Sequence, residues 1–195
     1  PAVAELIVVV AKDEIAFVEG MLEKAQGLKP WRVVQGGAER QYSIANGMAH
    51  LAADADIVLV HDAARPLVSL AAIEAVISAA REKGAAIAAV RAKNTIKVVG
   101  EDGRVEATPA RASLWEVQTP QGFRREILQR AYEKAAQDGF LGTDDASLVE
   151  RIGEAVFVVE SDYGNLKITT PEDLWMAEAL LAHSAGIVDE MKVTI

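Results

Sequence analysis

The 195-residue sequence contains no cysteine. This absence excludes disulfides, thiolate metal sites and cysteine nucleophiles, and it is compatible with a reducing compartment. Long apolar runs are absent too, since stretches such as 57–60 and 85–90 fall far short of the ~20 residues that cross a bilayer. No basic-then-apolar leader precedes them. The sequence therefore predicts a cytoplasmic protein that does not interact with membranes.

The sequence is also poor in positive charge, with a formal net charge of -9. Proteins that bind nucleic acids normally present a basic face to the phosphates, so we expect no nucleic-acid partner. Any phosphate would have to be held locally, by a few converging Arg or Lys side chains, helix N-termini or a divalent cation. Apolar residues at 51% and charged residues at 25% are typical of a globular protein, and the length fits one domain.

Buried-strand patterns alternate with helical patterns along most of the chain. Strands are predicted at 5–10, 31–34, 57–60, 85–90 and 155–160, and helices at 13–24, 42–53, 69–83, 124–138, 144–152 and 171–183. This alternation predicts an α/β fold with a doubly wound, mostly parallel sheet. Ligands of such sheets bind beyond the carboxyl ends of the strands.

Residues 91–119 depart from this pattern. Short alternating pieces surround a turn at 101–103, which predicts a β-hairpin arm that protrudes from the main layer. We expect one domain over residues 1–183, followed by a tail at 184–195. The last five residues of the tail are strand-like, and they either pair elsewhere or form a disordered extension.

Paired glycines join the second predicted strand to the next helix, at Gly36 and Gly37. Glycines allow the backbone to approach a flat ligand, which Arg40 and Ser43 would face from the first helical turn. The same residues are also typical of a tight turn with a surface arginine and a helical serine. The spacing alone favours the tight turn.

The segment 61–66 is a stronger candidate site because it directly follows the buried strand at 57–60. Asp62 is placed where it would bind a ribose or a Mg²⁺ ion, and Arg65 could pair with a phosphate in bidentate fashion. Alternatively, Asp62 caps the following turn and pairs with Arg65. His61 is interpreted as a packed, hydrogen-bonded residue, because an ionised phosphate nucleophile needs no general base.

Two later segments complete the set of candidates. Thr143 precedes two acidic residues and reads as a helix N-cap, with a substrate contact as the alternative. Lys167 lies between apolar residues, in a predicted strand that leads to a capped helix with Pro171 at its first position. A buried ammonium needs an anionic partner, which could be a substrate phosphate, Asp62 or Asp162.

Five segments in this order, at 36–43, 61–66, 119–123, 143–150 and 165–174, closely resemble the 2-C-methyl-D-erythritol 4-phosphate cytidylyltransferase family. The resemblance spans roughly residues 1–183. It implies a Rossmann-like nucleotidyltransferase fold and transfer of a cytidylyl group from CTP to a small polyol phosphate. It also implies a divalent cation such as Mg²⁺ as cofactor, and a homodimer formed through the hairpin arm.

The resemblance assigns roles to these positions. It implies catalytic roles for Lys167 and Asp62, with Asp62 as the metal ligand. The implied nucleotide-binding residues are Gly36, Gly37, Arg40, Ser43 and Asp62. The residues implied to hold the polyol phosphate are Arg65, Thr95, Arg111, Thr143 and Lys167, some of them reaching across from the partner subunit.

The resemblance also has two departures. The glycine-rich loop that the family carries near its N-terminus, with its Arg and Lys, has no counterpart in this sequence, and a large rate deficit is expected without it. Gly164 occupies a position where some relatives carry a carboxylate. Three alternatives therefore stay open: a ribitol 5-phosphate cytidylyltransferase, a non-catalytic dimeric remnant, and a dinucleotide-binding oxidoreductase, although no G-x-G-x-x-G supports the last.

Overall fold

The computed structural model describes residues 3–192 of the chain, with side chains described as far as residue 183. Its strands are β1 (Leu6–Val10), β2 (Trp31–Gln35), β3 (Ile57–Val60), β4 (Ala85–Arg91), β5 (Val98–Val99), β6 (Val105–Ala107), β7 (Trp115–Arg124) and β8 (Phe157–Glu160). Its helices are α1 (Ile15–Leu22), α2 (Arg40–Met48), α3 (Leu70–Lys83), α4 (Arg125–Asp138), α5 (Asp145–Arg151) and α6 (Pro171–Lys192). The alternation of strands and helices confirms the α/β class.

The strands form three sheets. β1 and β2 pair in parallel, in a register that joins Leu6 to Trp31 and Val10 to Gln35. A four-stranded sheet has the order β3-β7-β4-β8, and β5 pairs antiparallel with β6. The predicted hairpin is thus present, with Gly103 at a φ of 80° in its turn. That positive φ explains why a glycine lies at this position.

The chain divides into two compact units. The first comprises residues up to Val60, Ile77–Ala86 and Gly122–Phe157; the second comprises His61–Val76, Ile87–Gln121 and the residues from Val158 on. The expected single domain over residues 1–183 stays a prediction. No helix in the described part of the chain combines the length and the apolar character that a bilayer crossing requires.

Several elements match the sequence prediction closely because their local signals are strong. The strand β3 and the helix α3 have the predicted bounds, and the Ser69 hydroxyl accepts a hydrogen bond from Ala72 N–H as the predicted cap. Residues 85–90 of β4 are all buried, as expected for an uninterrupted apolar strand. Helix α4 buries the stripe Ile127, Leu128, Ala131, Tyr132 and Ala135 and ends at Gly139, which adopts a left-handed conformation.

The strand β7 was not predicted. Its sequence contains Pro120 and the polar residues Gln118, Thr119 and Gln121, a composition that is unusual for a buried strand. All four residues are nevertheless buried. A strand of this composition forms because tertiary hydrogen bonds satisfy its polar side chains, and a local pattern does not reveal such bonds.

Helix α2 begins and ends earlier than the predicted helix at 42–53. The backbone at Ala52 bonds to side chains, with its N–H donating to Glu5 Oε1 (2.8 Å) and its carbonyl accepting from Arg125 Nη1 (2.7 Å). These bonds replace the intrahelical partners, so the helix stops at Met48 although the apolar period continues.

Two predictions near the C-terminus were wrong. Lys167 lies in a coil rather than in a strand. Helix α6 continues to Lys192 instead of ending near His183, so most of the predicted tail is helical, since no proline follows Pro171 to stop the helix. The end of the tail was predicted to be strand-like over residues 191–195. Met191 and Lys192 instead belong to α6, and the last three residues lie outside the described residues.

Candidate active site

Asp62, Arg65 and Lys167 come together in the second unit, just beyond the end of β3. The Asp62 carboxylate oxygen Oδ2 lies 3.2 Å from Lys167 Nζ and 3.5 Å from Arg65 Nε. The side chains of Asp62 and Arg65 are 15% and 11% exposed, whereas that of Lys167 is 45% exposed. We call these three residues the Asp62 cluster. In this cluster two cationic side chains surround one carboxylate, and the lysine side chain is partly exposed to solvent.

Backbone contacts hold Asp62 and Lys167 in place. The Asp62 N–H donates to Thr119 Oγ1 of β7 (2.9 Å), and the Ile168 N–H, next to Lys167, donates to the Ala64 carbonyl (2.8 Å). These bonds connect the coil that carries Lys167 to the loop that follows β3. The cluster therefore rests on fixed backbone rather than on flexible side chains alone.

Asn165 is a buried support of the cluster that the sequence did not single out. Its carbonyl accepts from Arg65 Nη1 (2.8 Å), and its Nδ2 donates to Gln118 Oε1 (2.9 Å) and to the Thr119 carbonyl (2.8 Å). The residue is completely buried. A polar residue at a strand exit was the available signal, but its role depends on β7, which was not predicted.

His61 uses both of its ring nitrogens in hydrogen bonds. Nε2 lies 3.1 Å from the Arg65 carbonyl and Nδ1 lies 3.0 Å from Thr119 Oγ1. Burial of the ring lowers the pKa of His61, while the hydrogen bond to the Arg65 backbone opposes the shift. Because the carbonyl only accepts, the neutral ring carries its proton on Nε2 and accepts at Nδ1 from Thr119. This arrangement confirms the predicted hydrogen bonds of His61, but the residue as a whole is exposed rather than packed.

The start of α6 fixes the other end of the Lys167 coil. Asp173 Oδ2 accepts hydrogen bonds from the N–H of Thr169 (2.9 Å), the N–H of Thr170 (2.8 Å) and the Thr169 hydroxyl (2.8 Å). These bonds lower the pKa of Asp173 to about 2, and the bond from the Thr169 backbone N–H has the largest effect. With Pro171 at the first helical position, this confirms the predicted capped helix.

The Gly36 and Gly37 turn belongs to the first unit and packs closely against α2. The Gly37 N–H donates to Ser43 Oγ (3.0 Å), and the Ser43 hydroxyl donates to the Glu39 carbonyl (3.1 Å). A Cβ on Gly37 would lie 2.4 Å from Tyr42 Cβ, so only glycine fits there. The glycine segment therefore packs tightly against the first turn of α2, and a nucleotide contact from Gly36, Gly37 or Ser43 stays a prediction.

Arg40 was expected to face a nucleotide from the first turn of α2, but its guanidinium pairs with Asp145 of α5 at 2.8 Å. Asp145 is completely buried and also accepts a hydrogen bond from the Tyr132 hydroxyl. Burial raises the pKa of Asp145, and the Arg40 cation opposes this shift. Burial raises the pKa of Tyr132 as well, which keeps its hydroxyl protonated as a donor. From the sequence, Asp145 was identified only as an acidic residue in the first turn of a helix, and its buried pairing with Arg40 was not predicted.

Thr143 is not the cap of α5. Asp144 occupies that position, since its carboxylate accepts from Ser147 N–H (2.9 Å) in a capping box with the Ser147 hydroxyl. A short polar side chain fits the N-cap at either position, and only the path of the backbone decides which residue takes it. Thr143 lies exposed one residue earlier, at a cavity of about 40 Å³ that Arg40 and Gln41 also line. This space admits water rather than a nucleotide.

Thr95 and Arg111 lie in the segments that flank the hairpin, in the second unit. Both are exposed, and Arg111 Nη1 donates to the Lys93 carbonyl (3.0 Å), two residues before Thr95. Their assignment to a polyol phosphate stays a prediction.

A divalent cation would have one carboxylate to bind in the Asp62 cluster. Within the described residues, no three His, Asp or Glu side chains are arranged to hold a metal ion. Mg²⁺ is usually bound by one or two carboxylates and completes its octahedron with substrate phosphates and water. Asp62, with its partly exposed carboxylate at a strand exit, fits this mode of binding.

An α/β fold with carboxylate and cations beyond a strand end is typical of enzymes that handle nucleotides. The chain is similar to a solved structure of 4-diphosphocytidyl-2C-methyl-D-erythritol synthase from Anaerococcus prevotii, at 36% identity and a TM-score of 0.86, covering 92% of this chain and 82% of the other. It is also similar to the 2-C-methyl-D-erythritol 4-phosphate cytidylyltransferase structure from Thermus thermophilus, at 35% identity and a TM-score of 0.77, covering 91% and 81%. These likenesses confirm a Rossmann-like α/β fold of the nucleotidyltransferase class.

Sequence comparison specifies the family within that class. The curated 2-C-methyl-D-erythritol 4-phosphate cytidylyltransferase of Caldanaerobacter subterraneus is 49% identical over 180 residues, which cover 92% of this chain and 79% of the relative. The family model described as IspD, 2-C-methyl-D-erythritol 4-phosphate cytidylyltransferase, matches residues 1–183. The chain belongs to this cytidylyltransferase family, which confirms the resemblance and excludes the oxidoreductase alternative.

Proposed function

We propose that this chain transfers the cytidylyl group of CTP to 2-C-methyl-D-erythritol 4-phosphate, giving 4-diphosphocytidyl-2-C-methyl-D-erythritol and pyrophosphate. Family membership over residues 1–183 supports the reaction. The observation in the structure that carries the proposal is the Asp62 cluster, where two cations meet one carboxylate beyond β3. Such a group can bind and neutralise phosphates.

The reaction is a displacement at phosphorus. An oxygen of the polyol phosphate attacks the α-phosphorus of CTP, and a new P–O bond forms as the bond to the α–β bridging oxygen breaks. Pyrophosphate leaves with that electron pair, and both phosphates enter ionised, so no general base is required. The hydrogen-bonded state of His61 is consistent with this, since its ring nitrogens are both engaged.

Within this proposal, Lys167 stabilises the charge that develops on the transferring phosphoryl group. Its ammonium is bound to Asp62 and is still 45% exposed, so it can exchange its partner for a phosphate oxygen. Arg65 is more rigid, because Asn165 and Asp62 hold its guanidinium. We assign it to orienting a substrate phosphate.

Mg²⁺ is the proposed cofactor, with Asp62 as its protein ligand. When bound, it would supply positive charge that offsets the charge of the CTP phosphates. The proposal also includes the nucleotide contacts at Gly36, Gly37, Arg40 and Ser43, and the phosphate contacts at Thr95, Arg111 and Thr143.

A homodimer formed through the hairpin belongs to the same proposal. Val98, Val99 and Val105 of β5 and β6 are exposed apolar residues, which a second copy could cover. A cytoplasmic location stays a prediction from the sequence.

The test supplies CTP, Mg²⁺ and either 2-C-methyl-D-erythritol 4-phosphate or ribitol 5-phosphate, and measures pyrophosphate release. We expect release with the methylerythritol substrate. Release with ribitol 5-phosphate alone would overturn the substrate assignment. Calorimetry with CTP provides the complementary measurement, because a chain that neither turns over nor binds CTP would be the non-catalytic remnant.

A further inference from the structure

The first turn of α2 is joined to the coil before α5 by a side chain that bridges two backbone groups. Gln41 Nε2 donates to the Phe140 carbonyl (3.0 Å), and Gln41 Oε1 accepts from the Gly142 N–H (2.9 Å). Both bonds are partly buried. Only an amide side chain of this length can donate to a carbonyl and accept from an N–H at the same time.

The neighbouring residue makes a second connection between the same two elements. Arg40 Nη2 donates to Asp145 Oδ2 at 2.8 Å, and the Tyr132 hydroxyl occupies Oδ1 of the same carboxylate. Asp145 is completely buried, so this carboxylate depends on both donors. We call the bonds of Arg40 and Gln41 to this region the α2 clamp.

The α2 clamp has candidate site residues on both sides. On one side, the Gly36–Gly37 turn is bound to the same helix through Ser43 Oγ. On the other side, Thr143 lies between Gly142 and Asp145, both of which the clamp holds. The positions of the glycine turn and of Thr143 are thus coupled through one helical turn.

We propose that Gln41 is a positioning residue that sets Thr143 relative to the Gly36–Gly37 turn. This inference rests on the proposed function, in which the turn contacts the nucleotide and Thr143 contacts the polyol phosphate. Reacting groups must be held within a fraction of an ångström, so a loosened coil costs rate more than nucleotide affinity.

The experiment compares Gln41→Met with Gln137→Met, an exposed glutamine of α4 that serves as the matched control. Methionine keeps the length of the side chain but makes neither hydrogen bond. For Gln41→Met we expect kcat to fall about tenfold or more, while KM for CTP changes less than about threefold, because Ser43 still holds the glycine turn. Gln137→Met should match the wild type.

Gln41→Glu provides a second test. A carboxylate can accept from Gly142, but its other oxygen would repel the Phe140 carbonyl oxygen, which lies 3.0 Å from Gln41 Nε2. Its kcat should therefore fall at least as far as that of Gln41→Met. Wild-type kinetics in Gln41→Met, or a loss confined to KM for CTP, would overturn the positioning role. A wild-type kcat in Gln41→Glu would overturn the two-bond bridge.

Amide hydrogen exchange separates failure of the clamp from failure of the proposed function. If the wild-type protein releases no pyrophosphate, the proposed function fails, and the clamp is judged by exchange at Gly142 and by CTP calorimetry. Faster exchange in Gln41→Met but not in Gln137→Met supports the bridge, and unchanged exchange refutes it. Where CTP binds, a loss of affinity above about threefold in Gln41→Met would count against a clamp that leaves the glycine turn intact.

Discussion

Replacing Lys167 by methionine tests the Asp62 cluster most directly. The change removes one of the two cations near the Asp62 carboxylate, whose Oδ2 lies 3.2 Å from Lys167 Nζ. Arg65 Nε stays 3.5 Å from the same oxygen, and the Asp62 N–H remains bound to Thr119. The carboxylate therefore keeps a cationic partner in the variant, and methionine retains most of the aliphatic length of lysine.

The structure predicts a small effect on stability and a large one on rate. The Lys167 side chain is 45% exposed, and ion pairs of this kind contribute about 0–1 kcal/mol to the free energy of unfolding. A donor aimed at charge that develops in a transition state contributes a factor of ~10² to 10³ in kcat. We thus expect kcat to fall by that factor while the free energy of unfolding falls by less than about 1 kcal/mol.

The assay measures pyrophosphate release and urea unfolding on the wild type, Lys167→Met and Lys134→Met. Lys134 is a matched control, because its side chain is 53% exposed and forms one ion pair with Asp138 at 2.9 Å. We expect Lys134→Met to keep the wild-type kcat. A near-normal kcat in Lys167→Met, or a loss of stability above about 3 kcal/mol, would refute the assignment of Lys167 as an available cation.

Three further predictions concern the buried carboxylate, the pH dependence and the metal. Tyr132→Phe leaves Asp145 with one donor fewer and should lower the free energy of unfolding by about 1–3 kcal/mol in urea, whereas the half-exposed Tyr42→Phe should stay within about 0.5 kcal/mol. The folded-state pKa of His61 lies below 6.5, so the unfolded chain takes up a proton first. The stability that neutral His61 confers is therefore complete above pH 6.5 and is lost as the pH falls below that value. In urea unfolding, the free energy of unfolding of His61→Gln should fall less steeply with decreasing pH than that of the wild type. Treatment with EDTA should abolish pyrophosphate release and added Mg²⁺ should restore it, so full turnover in EDTA would contradict the assignment of Asp62 to a metal.

Much of the fold could be predicted because its signals are local. The apolar run of β3 and the Ser69 cap of α3 depend on neighbours in sequence, and both elements have the expected bounds. The family likewise follows from short ordered motifs, and the match over residues 1–183 confirms it. The site segment at 61–66 was identified because an acid directly follows a buried strand.

The pairing of Asp62 with Arg65 and with Lys167 was among the predicted alternatives, and the structure shows both pairs. Other partners of the site residues could not be predicted in this way. Arg40 was predicted to contact the nucleotide, which stays a prediction, but its ion pair with the buried Asp145 of α5, 105 residues later, was not foreseen. Thr143 appeared to be a helix cap, yet Asp144 occupies that position. The partner of Arg40 depends on how α2 and α5 pack, which no local spacing contains. The cap depends on the path of the backbone before α5.

The amino-acid sequence by itself determined the α/β class, the family and the strand ends where charged residues lie, because periodicity, caps and motifs are properties of consecutive residues. Only the tertiary structure decided that β7 is a strand, that Asn165 supports Arg65, and that Lys167 meets Asp62. These outcomes depend on hydrogen bonds and ion pairs between residues up to about a hundred positions apart. Such bonds form where burial makes an unpaired polar group costly, and burial exists only once the chain has folded.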